Sequence, residues 1–240
     1  MAEATTTADF TEHRQRWLPV LAASRLAEPD GRAARLTLLG EELAAFRDSD
    51  GNLGVIEGLC PHSGSLLAWG VAEEGGLTCA YHGWAFDVHG HCLWVPGTSN
   101  APDYLAQYRL KAYPLVEASG VLWTYLGSGG PPELPGVPWG DEDAGGSVAC
   151  THWQTQAPSI TEALAAESAA MGWPRTGDGL GGWVLAGPDG LHLCLMAVPS
   201  LGRGFHCLAV LWHPARPVSD TERAAMTDRA SGPAAALGAL

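Results

Sequence analysis

Two short segments hold the side chains best suited to chemistry. One reads Cys60-Pro61-His62-Ser63-Gly64; the other reads Cys79-Ala80-Tyr81-His82-Gly83-Trp84, with sixteen residues from Ser63 to Thr78 between His62 and Cys79. Cys60, His62, Cys79 and His82 offer two soft thiolates and two borderline imidazoles, a set that suits iron–sulfur chemistry and zinc alike. Structural zinc sites more often begin with two cysteines close together. Here each segment carries one cysteine and one histidine, which matches a [2Fe–2S] cluster with one iron on two Cys and the other on two His. Zinc remains the alternative. Neutral imidazoles leave such a cluster less negative than four thiolates would, so its potential rises to roughly −150 to +300 mV. Pro61 stiffens the first segment, while Gly64 and Gly83 let backbone N–H groups approach the metal centre. Tyr81 and Trp84 could shield it from water, although ordinary aromatic packing explains them equally well. His89 and His91 sit on a predicted hairpin and read as turn or surface residues rather than further ligands.

Short strands must position these segments. Strand-like runs cover 32–39 and 42–47, then the turn Asp48-Ser49-Asp50-Gly51-Asn52 leads into 53–59 and directly to Cys60. Further strands are expected at 76–80, 84–88 and 91–95, and a hairpin joins 111–117 to 121–126 across Ala118-Ser119-Gly120. This spacing predicts a small all-β sandwich or barrel. Residues 127–146 are rich in Gly, Pro and acid and read as a linker. Beyond it the pattern changes to an Ala-rich helix over 159–170, with Ser159 and Glu162 as a capping pair. Strands at 182–186, 191–198 and 204–212 follow, then a second helix over 219–229. The expected organisation is a tail at 1–15, a β domain at 16–127, a linker at 128–146 and a smaller α+β domain at 147–240.

Composition limits the partners. Thirteen basic and 26 acidic residues give a formal charge of −13, and Lys111 is the only lysine. That charge opposes phosphate backbones and anionic lipid, so neither nucleic acid nor membrane is an expected partner. The first nine residues lack a basic region and an apolar stretch, which predicts no secretory leader and a cytoplasmic protein. Cys92, Cys150, Cys194 and Cys207 show no paired spacing and read as reduced thiols.

The stretch from Trp17 to about Pro135 resembles the N-terminal half of the large (alpha) subunit of Rieske non-haem iron oxygenases of the ring-hydroxylating type. The resemblance rests on Cys60-Pro61-His62 and on the run from Cys79 to Asp87. It extends through Val95-Pro96-Gly97, Tyr113 to Glu117, Gly120 to Gly127 and Pro131-Pro132-Glu133-Leu134-Pro135. It implies an all-β Rieske domain with one [2Fe–2S] cluster per chain, held by Cys60, His62, Cys79 and His82. It also implies a following helix-grip-like α+β oxygenase domain, here shortened. Ser63 stands where the family usually has Arg.

The family's second half holds a mononuclear Fe(II) on two His and a carboxylate. Aligned on Cys150, Gln154 and Ile160, this chain has Thr161 at the bridging Asp, and Leu164 and Ala169 at the two histidines. Leucine and alanine offer no lone pair to a metal, so mononuclear Fe(II) is expected to be absent and no catalytic residue is assigned. An atypical site would need His152, His192 or His206 recruited with Glu or Asp, and His192 and His206 are expected to face each other across a hairpin. Asp228 is a weak match to the third ligand.

The resemblance therefore implies an electron-transfer subunit of an oxygenase system, non-catalytic itself. Its partners would be a catalytic alpha subunit in a hetero-oligomer and an upstream ferredoxin or flavin reductase. The alternatives are a self-sufficient mono- or dioxygenase with atypical iron ligands, or a free Rieske ferredoxin.

Overall fold

A strand that is apolar on both sides has to be covered on both sides, and the central strands of this chain are of that kind. In β3 (Glu41–Arg47), Leu43 and Ala45 join one hydrophobic cluster while Ala44 and Phe46 join another. The result is a stack of sheets. The computed structural model describes residues 10–73, 75–140, 148–200 and 204–222.

After a short helix α1 (Thr11–Arg14), the chain forms β1 (Leu18–Ala22), β2 (Ala34–Leu38), β3 and β4 (Leu53–Glu57). Next come β5 (Val71–Glu73), β6 (Gly76–Thr78), β7 (Ala85–Phe86) and β8 (Cys92–Trp94). A short helix α2 (Pro102–Leu105) precedes β9 (Ala112–Tyr113), β10 (Leu115–Ala118) and β11 (Val121–Thr124). The second half contains β12 (Ala149–Gln156), α3 (Ile160–Met171), β13 (Arg175–Gly179), β14 (Gly182–Ala186), β15 (His192–Pro199) and β16 (Gly204–Trp212).

These strands form four antiparallel sheets ordered β5-β6-β7-β8, β2-β3-β4-β9, β1-β11-β10 and β12-β16-β15-β14-β13. Phe46, Ile56, Leu77 and Phe86 fill the space between the first two sheets. Leu36, Leu43, Leu18 and Leu122 fill the space between the second and third. Trp123 and Val121 of β11 then meet Met196, Leu208 and Val210 of the five-stranded sheet. Its other face, with Leu195, Cys207 and Leu211, packs against Ala163 and Leu164 of α3. The first sheet thus lies farthest from α3; one cysteine–histidine segment follows β4 of the second sheet, and the other joins β6 to β7 of the first.

The expected strands 182–186 and 204–212 form with those bounds, and the third occupies His192–Pro199. The helix expected at 159–170 spans Ile160–Met171, with Ser159 Oγ accepting from Glu162 N at 3.2 Å. At the second expected helix, Ser219 and Glu222 make the reciprocal cap, with Ser219 N to Glu222 Oε2 at 2.8 Å and Glu222 N to Ser219 Oγ at 3.3 Å. The rest of that helix, Asp228 included, lies outside the described residues. Residues 127–140 have no helix or strand but are pinned at two points. Trp17 Nε1 donates to Pro132 O at 2.8 Å, and Trp139 Nε1 donates to Ser119 O at 2.9 Å. Among the described residues no helix is long and apolar enough to cross a membrane.

Candidate metal centre

The two segments take the same local form. Cys60 N donates to Ser65 O at 2.9 Å and Gly64 N to Cys60 O at 2.8 Å. Cys79 N donates to Trp84 O at 2.7 Å and Gly83 N to Cys79 O at 2.9 Å, the same pattern at the same offsets. Closing each loop requires a residue in the left-handed region, and Gly64 and Gly83 supply it at φ +70 and +71. The first loop leaves the end of β4; the second bridges β6 and β7.

This shared form sorts the four side chains by type and by depth. Cys60 and Cys79 are each 2% exposed, belong to one hydrophobic cluster and lie within hydrogen-bonding reach of each other. His62 and His82 are exposed, with ring centroids 4.7 Å apart. The sequence-derived ligands are thus brought together as a buried thiol pair beneath a surface imidazole pair. That donor set fits a two-iron cluster with unlike ends, one iron on sulfur and one on nitrogen. The thiolates would hold the inner iron and the imidazoles the outer one.

The thiols differ in their surroundings. Burial pushes the Cys60 thiol up, and the neighbouring Cys79 adds to it. Burial also raises Cys79, but donors outweigh it and bring that thiol below its ordinary value. Those donors are the Ser65 hydroxyl, the backbone N–H groups of Tyr81 and His82 and, last, the Cys60 side chain. Ser65 is a residue that sequence reasoning missed, since a serine five positions after a cysteine carries no signal of its own.

Aromatic rings hold the imidazoles. The buried Trp84 ring stacks on His62 with centroids 5.0 Å apart and planes 5° from parallel. Tyr81 is 65% exposed and packs on His82 at 3.7 Å, covering one imidazole face rather than sealing the site. Beside the imidazoles opens a cavity of about 640 Å³, whose far wall includes Tyr104 and Tyr108 near α2. Among the described residues its lining contains no carboxylate, ammonium or guanidinium, on a chain that is strongly acidic. His89 and His91 are exposed and stand in the β7–β8 turn, where His91 Nδ1 pairs with Asp87 Oδ2 at 2.8 Å.

The histidines of the second half are placed differently from expectation. His192 pairs in register with Trp212, and His206 pairs with Val198, so the two lie at opposite ends of the β15–β16 hairpin. Strand register separates them by six positions, which the hairpin length alone did not reveal. His206 is fully buried, and its Nε2 lies 2.5 Å from Val20 O on β1. His152 stacks on it at 5.8 Å. On α3, Leu164 is 2% exposed in the hydrophobic cluster, while Thr161 and Ala169 face solvent. Cys92, Cys194 and Cys207 are buried thiols outside any disulfide, and the half-buried Cys150 places its Sγ 3.6 Å from Gly120 O.

Comparison with known proteins places a Rieske-type match over this part of the chain. Residues 16–114 match the family described as "Rieske [2Fe-2S] domain". The chain is 43% identical over 123 residues, 51% of its length, to the 3-chlorobenzoate-3,4-dioxygenase oxygenase subunit of Comamonas testosteroni. It is 39% identical over 114 residues, 48% of its length, to the phthalate 4,5-dioxygenase oxygenase subunit of Pseudomonas putida. The matched stretch spans only 28% and 26% of those relatives. Among solved structures, dicamba monooxygenase bound to 3,6-dichlorosalicylic acid superposes with a TM-score of 0.67 at 17% identity, covering 96% of this chain and 85% of the other. Pseudomonas putida NdmA with caffeine gives 0.66 at 17% identity, covering 92% and 80%. At that identity the likeness concerns the fold alone.

Proposed function

Because the chain carries a Rieske [2Fe-2S] domain at residues 16–114 and is a relative of oxygenase subunits, we propose that it is an electron-transfer subunit of an oxygenase system. In this reading Cys60, Cys79, His62 and His82 are the ligands, and the bound cluster supplies one-electron chemistry. The observation that carries the proposal is the ordering by depth: thiols 2% exposed inside, imidazoles at the surface. Electrons then enter and leave through the imidazole edge, which Trp84 and Tyr81 hold in place and partly shield from water.

Oxygen activation belongs to a catalytic partner subunit. Support for this comes from α3, where the three positions that the family resemblance assigns to the mononuclear iron carry Thr161, Leu164 and Ala169. Leu164 packs as hydrocarbon against the sheet. The second half of the chain serves as the contact to that partner, and a ferredoxin or flavin reductase supplies electrons from upstream. Metal analysis with co-purification tests the proposal. About two irons and two sulfides per chain are expected, together with a larger oxygenase subunit travelling with the protein. A third iron accompanied by substrate turnover in the isolated chain would overturn the non-catalytic reading. A single zinc would overturn the cluster.

A further inference from the structure

The matching form of the two ligand loops makes any difference at their sulfurs informative. The backbone N–H groups of His62 and Ser63 reach Cys60 Sγ, and those of Tyr81 and His82 reach Cys79 Sγ. Cys79 receives one contact more, because Ser65 Oγ lies 3.1 Å from its sulfur. Behind it, Ser63 Oγ donates to Ser65 Oγ at 3.3 Å. A metal-bound thiolate has no proton to give, so Ser65 must be the donor to Cys79 and the acceptor from Ser63.

We propose that Ser65 is a positioning residue that sets the reduction equilibrium of the [2Fe–2S] group through its hydroxyl bond to Cys79, with Ser63 orienting that hydroxyl. The inference rests on the ligand assignment above. Reduction adds one negative charge to the metal centre, and a donor aimed at a ligand sulfur stabilises the more negative state. The hydroxyl is separable from the loop fold. Ser65 closes the loop through its backbone oxygen, which accepts from Cys60 N at 2.9 Å, and alanine keeps that bond.

The test is a dye-mediated redox titration of the purified holoprotein, following the visible and low-temperature magnetic signals. Losing one hydrogen bond to a charged group in Ser65→Ala should cut the equilibrium constant for reduction about three- to tenfold. At about 59 mV per tenfold for one electron, the potential falls by roughly 30 to 60 mV. Ser65→Thr keeps the hydroxyl and should restore the wild-type potential. Ser63→Ala should lower it by less, in the same direction. An unmoved potential in Ser65→Ala overturns the inference, as does a Ser65→Thr value as low as that of alanine. Should Ser65→Ala fail to hold iron, Ser63→Ala decides: a small fall supports the relay and no change overturns it. Wild-type protein without iron and sulfide would sink the ligand assignment and this inference together, whereas a loaded cluster with unmoved potentials sinks this inference alone.

Discussion

Acidification from about pH 7.5 to pH 5 should loosen the joint between the sheet that carries β1 and the five-stranded sheet, and His152 is the group through which this can be measured. Burial lowers its pKa to about 4, with the neighbouring His206 and then Arg25 acting in the same direction. His206 is also lowered, by burial, against the opposing effect of its bond to Val20. A histidine held neutral in the fold binds its proton more readily once unfolded, where it titrates near 6.5. Stability is therefore fully present above the unfolded value and is lost as pH falls from about 6.5 toward 4. At about 1.36 kcal/mol per unit, a shift from 6.5 to 4 is worth roughly 3 kcal/mol in full, and about 2 kcal/mol has gone by pH 5. Partial exposure of His152 makes both figures upper bounds. The assay is urea unfolding of wild type and His152→Gln at the two pH values, read by tryptophan fluorescence. The gap between the two proteins should close by up to about 2 kcal/mol at pH 5, near 1 M in urea midpoint for a slope of about 2 kcal/mol/M. Carboxylates common to both proteins cancel in that difference. Parallel loss of stability in the two proteins would refute the reasoning.

Two other outcomes follow from the ligand loops. His82→Ala should remove the visible absorption and the low-temperature signal of the reduced cluster while the far-UV spectrum persists; a retained wild-type signal would exclude His82 as a ligand. Gly83→Ala places a Cβ at φ +71 and 3.3 Å from Pro96 Cγ, whereas Gly64→Ala meets nothing within 4 Å at φ +70. Both pay about 1–2 kcal/mol of left-handed strain, so thermal loss of visible circular dichroism should come earliest in Gly83→Ala, and equal midpoints would contradict the Pro96 contact.

The candidate ligand segments were legible because residue type and spacing are local. The glycines that close both loops follow each histidine within two residues, and the turn before β4 announces itself in Asp48, which accepts from Asn52 N at 2.8 Å. Strands with continuous apolar runs, such as Gly204–Trp212, were equally plain. Some edge strands were not. β1 contains Pro19, tolerated because the strand pairs only with β11 and shifts register there. β12 and β13 are polar or Gly-rich strands at the two edges of their sheet, where one side needs no partner and no apolar signature is required. The Ser65 contact and the separation of His192 from His206 depend on loop geometry and register, which single residues do not encode.

Nitrogen electron–nuclear double resonance on the reduced protein, grown with ¹⁵N-histidine, tests the ligand set most directly. Cys60, His62, Cys79 and His82 on two bridged irons require couplings to two histidine nitrogens. A reduced iron–sulfur signal without histidine nitrogen coupling would contradict the account at its centre.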